Sequence, residues 1–154
     1  MRRRVAETVM SLPARVSKMN NHSSASTSHG LTTIHSAHSF AETVARLRSA
    51  LPTHPIKIFI TIDQQAEAAA VGLTMPPTVL IIFGNPQAGT PLMVARPLSA
   101  IDLPLKVLIS EPTPGEVLVT FNTAQYLADR HGVPHDLVAK LAPADRLIAN
   151  ALGG

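Results

Sequence analysis

From residue 30 onward the apolar positions switch repeatedly between a period of two and a period of three to four, the spacings that strands and helices impose on a one-sided core. "LTTIHSAH", residues 31–38, is rich in β-branched residues and predicts a first strand. "SFAETVARLRSAL" predicts a helix, with Ser39 as N-cap, Glu42 completing a capping box, and Phe40, Val44, Leu47 and Leu51 on one face. Pro52 and Pro55 close it. In "IKIFITI" Ile58, Ile60 and Ile62 alternate with Lys57, Phe59 and Thr61, the pattern of a half-buried strand. An Ala-rich helix from Gln64 to Val71 stops at Gly72. "TVLIIF", residues 78–83, is then apolar at nearly every position, which suits a strand in mid-sheet or covered on both faces.

The second half continues the mixture. "QAGTPLMVAR" predicts a short helix interrupted at Gly89-Thr90-Pro91, and "LPLKVLIS" a strand with Leu103, Leu105, Val107 and Ile109 on one side. "EPTPGE" predicts a turn with Pro114-Gly115 at the centre of a type II geometry, and "EVLVTF" returns as the second arm of a hairpin, with Val117, Val119 and Phe121 facing one way. A helix from Thr123 to His131 ends at Gly132, and Pro134 opens a last helical segment that Pro143 breaks or bends. The order β-α-β-α-β-α-β-β-α-α predicts one α+β domain. Its sheet is expected to be mixed, mainly antiparallel and five-stranded, with helices mainly on one face.

Residues 1–29 differ from this. Val5, Val9, Leu12, Val16 and Met19 recur at helical spacing, Pro13 interrupts them, and the polar "NNHSSASTSHG" follows. The segment is expected to be a basic, Ser-rich extension that is disordered, with the α+β domain spanning residues 30–154. An organelle-targeting segment and an over-extended start, with Met10 or Met19 as the initiator, are the other readings of it. A cytoplasmic location is the expectation if it does not target. The apolar runs fall short of the ~18 residues that a membrane span needs, so no membrane partner is expected.

Composition narrows the chemistry. A chain of 154 residues that is 45% apolar suits one domain with a real core. Aromatics make up 3%, with no Trp and one Tyr, which leaves little for base-stacking platforms. The absence of Cys excludes disulfides, thiolate nucleophiles, Cys-bound zinc and iron–sulfur clusters. The net charge of +3 is unevenly placed. Residues 1–29 carry five basic side chains against Glu7, giving +4, and residues 30–154 carry eight against nine acidic ones, giving −1. The domain itself is therefore not expected to bind nucleic acid.

Three blocks, "FGNPQAGTPLM", "DLPLK" and "FNTAQYLADRHG", occur in that order and resemble the domain-of-unknown-function family 302. The resemblance runs from about Ile34 to Val133 and is strongest from Gly72 to Asn122. It implies a small α+β fold, often dimeric, with no established activity. The chain departs from the family pattern in carrying Gln64 after Asp63, where relatives carry His. Leu118 and Phe121 also stand in the hairpin where relatives carry Trp and Tyr. A catalytic role carried over to Asp63 is weakened by the first departure.

The loop "FGNPQAGTPLM" at residues 83–93 suggests a phosphate cradle, but Pro86 removes a backbone donor and no Lys follows Gly89. Gly84 as strand end, Asn85 as N-cap and Pro86 at the first helical position explain it as a strand-to-helix join, with an anion at the helix start as the functional alternative. Asp63, Asn85 and Asn122 fall where strands stop and Asp102 where one starts. If the strands flanking the loop run antiparallel, all four are expected along one sheet edge. Each is otherwise a cap or an Asx turn. The ligand-binding candidates are thus Asn85, Gly89, Thr90, Asp102, Asp63 and Asn122.

Seven His residues offer no ligand spacing. His35 and His38 point to opposite faces of a strand, and Gly132 and Pro134 separate His131 from His135. No metal or cofactor is expected. His131 can pair with a distant Asp, but its place against the helix dipole explains it more simply. No G-x-S-x-G elbow accompanies Ser99 or Ser110. The leading expectation is a homodimeric or small-ligand-binding module that binds a small molecule or anion. The rivals are an enzyme with Asp63 or Asp102 as its acid–base residue, and a purely structural partner-binding domain.

Overall fold

A computed structural model describes residues 26–53 and 55–153. Most of the extension expected to be disordered, including the interrupted amphipathic spacing over residues 5–19, lies outside them. The chain forms strands β1 (Ser26–Ser28), β2 (Leu31–His35), β3 (Lys57–Asp63), β4 (Thr78–Gly84), β5 (Leu105–Thr113) and β6 (Glu116–Asn122). Its helices are α1 (Phe40–Ala50), α2 (Gln64–Ala70), α3 (Pro86–Ala95), α4 (Ala124–His131), α5 (His135–Val138) and α6 (Pro143–Leu152), with a 3-10 turn at Pro97–Ile101. The sheet order is β1-β2-β6-β5-β4-β3. The five expected strands are all present in an α+β domain, and every pairing among them is antiparallel.

The sixth strand, β1, pairs with β2 through a turn in which His29 and Gly30 both have positive φ, 52° and 80°. Two positive values in succession are what a tight type I′ hairpin requires, and Gly at the second position meets it. The boundary expected at residue 30 therefore cuts through a hairpin, because the polar composition of "SASTSHG" hides a short edge strand.

Period-two burial fixes the core face. Val79, Ile81 and Phe83 of β4, Leu105, Val107 and Ile109 of β5, and Val117, Val119 and Phe121 of β6 are buried on one side. Leu47 of α1, Leu51 at its C-cap and Ile148 of α6 complete the packing with almost no exposure. Burying each such side chain contributes about 1.5–3 kcal/mol. Helix starts follow the expected caps. Ser39 accepts from the N–H of Glu42 at 3.2 Å, Asp63 from Ala66 at 2.9 Å, and Thr123 from Tyr126 at 3.2 Å.

Two expectations are corrected. The alternation in β3 breaks at a bulge between Ile58 and Ile60, so Ile58 pairs with core-facing Phe83 while Ile60 pairs with outward-facing Ile82. An inserted residue reverses every side chain beyond it, and Ile60 is 51% exposed. Second, α3 is not interrupted at Gly89-Thr90-Pro91 but runs for ten residues with Pro91 inside it. A proline there loses its own N–H bond and crowds the carbonyl four residues back, and Leu92, packed at 2% exposure, holds the helix onto the core beyond it.

Candidate functional site

Antiparallel pairing of β4 with β5 and of β5 with β6 brings the end of β4, the start of β5 and the end of β6 to one edge of the sheet. Asn85, Asp102 and Asn122 all lie there. Asp63 does not, because β3 is itself antiparallel to β4, and Asp63 pairs with Val79 while Lys57 pairs with Gly84. Its carboxylate caps α2 at the far end of the sheet. The expectation of four polar residues on one edge missed that consecutive antiparallel strands end at alternate edges.

The shared edge contains a cavity of about 240 Å³ lined by Asn85, Gly89, Thr90, Met93, Leu103 and Phe59, with Gly84, Pro86, Pro104, Leu105 and Leu141 around them. Three of the six candidates therefore meet in one hollow. Its walls are aliphatic and aromatic, and its polar groups are the Asn85 amide, the Thr90 hydroxyl and nearby main chain. Gly89 leaves room beside it: a Cβ at this position would have only the Cε of Met93, 4.0 Å away, as a neighbour. A Gly inside a helix costs about 1 kcal/mol relative to Ala. Here it leaves α3 without a wall on the cavity side. A second hollow of about 120 Å³ shares Gly84, Asn85, Leu105 and Leu141 with the first and reaches Lys140.

The start of α3 has no donor left for an anion. Pro86 lacks an N–H, Gln87 donates to Asn85 Oδ1 at 2.9 Å, and Ala88 and Gly89 donate to Asn85 O at 3.0 and 2.9 Å. Asn85 therefore caps its own helix, as the strand-to-helix reading expected.

Asp102 and Asn122 line a neighbouring cleft of about 110 Å³ with Lys106, Leu105, Ile101 and Leu127. Asn122 Nδ2 donates to Gly30 O at 2.8 Å, which ties β6 to the β1–β2 turn. Asp102 Oδ2 lies 2.5 Å from His131 Nε2 and 3.4 Å from Arg130 Nη1. His131 thus does find a distant Asp, through the packing of the 3-10 turn beside α4, which sequence separation conceals. The carboxylate orients the imidazole and, with Arg130, clips the end of α4 to the edge of the sheet. Ser99, 2% exposed, lines a neighbouring void of about 10 Å³ with Asp102 and His131, and its hydroxyl has no partner among the described residues. Lys106 Nζ donates to the carbonyls of Asp102 and Pro104, both at 3.1 Å.

No group of three or more His, Asp or Glu among the described residues is arranged to hold a metal ion. Elsewhere, burial pushes the Asp145 carboxyl above the usual Asp range, a hydrogen bond from the Ala124 N–H opposing it. Sequence reasoning missed Phe59, Met93, Leu103, Leu141 and Lys140. Their apolar or isolated character gives no local signal, and distant segments meet to make the hollow.

Comparison with known proteins follows the same outline. The crystal structure of an uncharacterized conserved DUF302 protein from Bacillus stearothermophilus superposes with a TM-score of 0.67 at 18% identity, covering 81% of this chain and 97% of that one, which shows a shared fold. The fluoride-specific ion channels FluC 1 of Brucella suis biovar 1 (strain 1330) and FluC 1 of Brucella abortus biovar 1 (strain 9-941) are each 42% identical to it over 113 residues. The match covers 72% of this chain, and 44% and 42% of those proteins. The chain thus spans less than half the length of these curated relatives. Among the described residues, no helix is long and apolar enough to cross a membrane. Residues 32–151 match the model of the family described as "Domain of unknown function DUF302", and the chain belongs to that family.

Proposed function

We propose that this domain is a small-ligand-binding module whose site is the strand-end cavity. The observation that carries the reading is the meeting of Asn85, Gly89 and Thr90 with Phe59, Met93 and Leu103 around about 240 Å³ of space. Mostly apolar walls with a few placed polar groups are the usual make-up of a ligand site, and this volume is below the ~300–1,000 Å³ of drug-sized pockets. The ligand is correspondingly small. Methyl NMR on the methionines tests this with 1-hexanol as the probe: the Met93 signal is expected to shift saturably, and Gly89→Leu, which fills the hollow from α3, to abolish the shift. A Met93 signal indifferent to the probe refutes the reading.

The relatives named as fluoride channels bear on context. Conduction across a bilayer needs spanning segments with every backbone group satisfied. Among the described residues there is no spanning helix, and the sheet has β1 and β3 at its two edges. We read the domain as a module that those longer proteins carry as one part of their chain.

A specific observation also favours a homodimer. The sheet face away from the helices carries Ile60, Ile62, Leu80, Ile82, Leu108 and Leu118, half-buried or exposed. Lys106 sits on the same face but bends to the strand-end carbonyls. Five strands of about seven residues project roughly 550 Å² of sheet. Two such faces together exceed the ~1,000 Å² that marks a specific interface. Light scattering coupled to gel filtration is expected to give a dimer, and Leu80→Lys a monomer with unchanged circular dichroism. A monomeric parent protein overturns this reading and leaves the cavity untouched.

A further inference from the structure

The two adjacent hollows at the strand ends carry a statement about ligand chemistry, which rests on the cavity being the binding site. We infer that the ligand is a small amphipathic anion, with an apolar body in the larger hollow and its charged head in the smaller one beside Lys140. The larger hollow is walled by Phe59, Met93, Leu103 and Leu105, and the smaller one adjoins it, with Gly84, Asn85, Leu105 and Leu141 lining both. Lys140 is the one ionisable side chain among the described residues lining either hollow, and no described acid forms an ion pair with it.

The position of the head follows by elimination. An anion placed at the start of α3 finds no donor, because the first N–H groups there are donated to Asn85 or absent at Pro86. Lys106 is occupied by two carbonyls. Asp102 is held by His131 and Arg130 and lines a different cleft. Lys57 Nζ stands 4.6 Å from the centre of the ring of Phe59, a residue that lines the larger hollow. A neutral apolar molecule leaves Lys140 unused. A dianion or polyanion finds one lysine and no backbone nest to receive it.

The experiment titrates the full chain with butanoate, hexanoate, octanoate and decanoate, and with the matching alcohols, reading the Met93 methyl signal and the heat of binding. Affinity is expected to rise about fourfold per added methylene until the hollow is full. Each carboxylate is expected to bind roughly three- to fivefold tighter than its alcohol, as a lone exposed cation allows. Lys140→Gln and high salt should remove that advantage while the alcohols bind as before. Alcohols that bind as tightly as carboxylates in the parent protein overturn the anionic class and leave the cavity reading standing. Failure of every probe to move Met93, with Gly89→Leu matching the parent protein, overturns the cavity itself. A carboxylate preference that survives Lys140→Gln overturns the assignment of the head to that lysine.

Discussion

Gly30→Ala tests whether the β1–β2 turn and α4 meet as closely as the structure places them. Gly30 has φ +80°, and a Cβ built there would stand 2.2–2.3 Å from three atoms of the Tyr126 ring. A side chain in the left-handed region costs about 1–2 kcal/mol. The contact adds more, because the ring must retreat by roughly 1 Å or more to reach ordinary van der Waals separation, and overpacking of this kind costs about 1–3 kcal/mol. The sum is about 2–5 kcal/mol, roughly 4–20 °C in Tm for a domain of this size. Urea unfolding of the single variants and of Gly30→Ala/Tyr126→Ala separates the two contributions. With the ring gone, the cost of Gly30→Ala should fall to the backbone share of about 1–2 kcal/mol. A cost unchanged by Tyr126→Ala refutes the close approach, and a neutral Gly30→Ala refutes the turn geometry as well. The same variant should loosen Asn122, whose amide bonds the Gly30 carbonyl.

Three further outcomes follow from single side chains. Asn85→Ala removes the acceptor for the Gln87 N–H and should cost about 1 kcal/mol in urea unfolding; no loss would mean that the cap is not formed. Ser99→Ala deletes a buried hydroxyl without a partner and should be neutral or stabilising by about 1 kcal/mol; a clear loss would show that a bound water satisfies it in the small void beside Asp102. Because burial raises the Asp145 carboxyl, the folded protein holds that proton more tightly than the unfolded chain. Stability should therefore fall as pH rises from the ordinary Asp range through the raised value. Asp145→Asn should flatten the thermal stability profile over that window, and parallel profiles for the two proteins would contradict it.

The sequence by itself determined most of the elements and most of the core. Ser39, Asp63, Asn85 and Thr123 announce helix starts because short polar side chains satisfy N–H groups locally. Val79, Ile81 and Phe83 announce a buried strand face because side chains alternate at every residue. The α+β class and the family followed from such local signals in order. What only the tertiary structure decided depended on strand direction and on single-residue slips. Asp63 left the candidate edge because β3 opposes β4, and Ile60 left the core because one bulged residue inverts all that follow. Gly89 read as a break and proved to be the open side of a helix, since a missing Cβ carries opposite meanings in a turn and beside a void. His131 found Asp102, and Lys140 found the hollow behind Asn85, across 29 and 55 residues of chain. Pairings at such separation leave no mark on local pattern, because nothing in the physics of neighbouring residues refers to them.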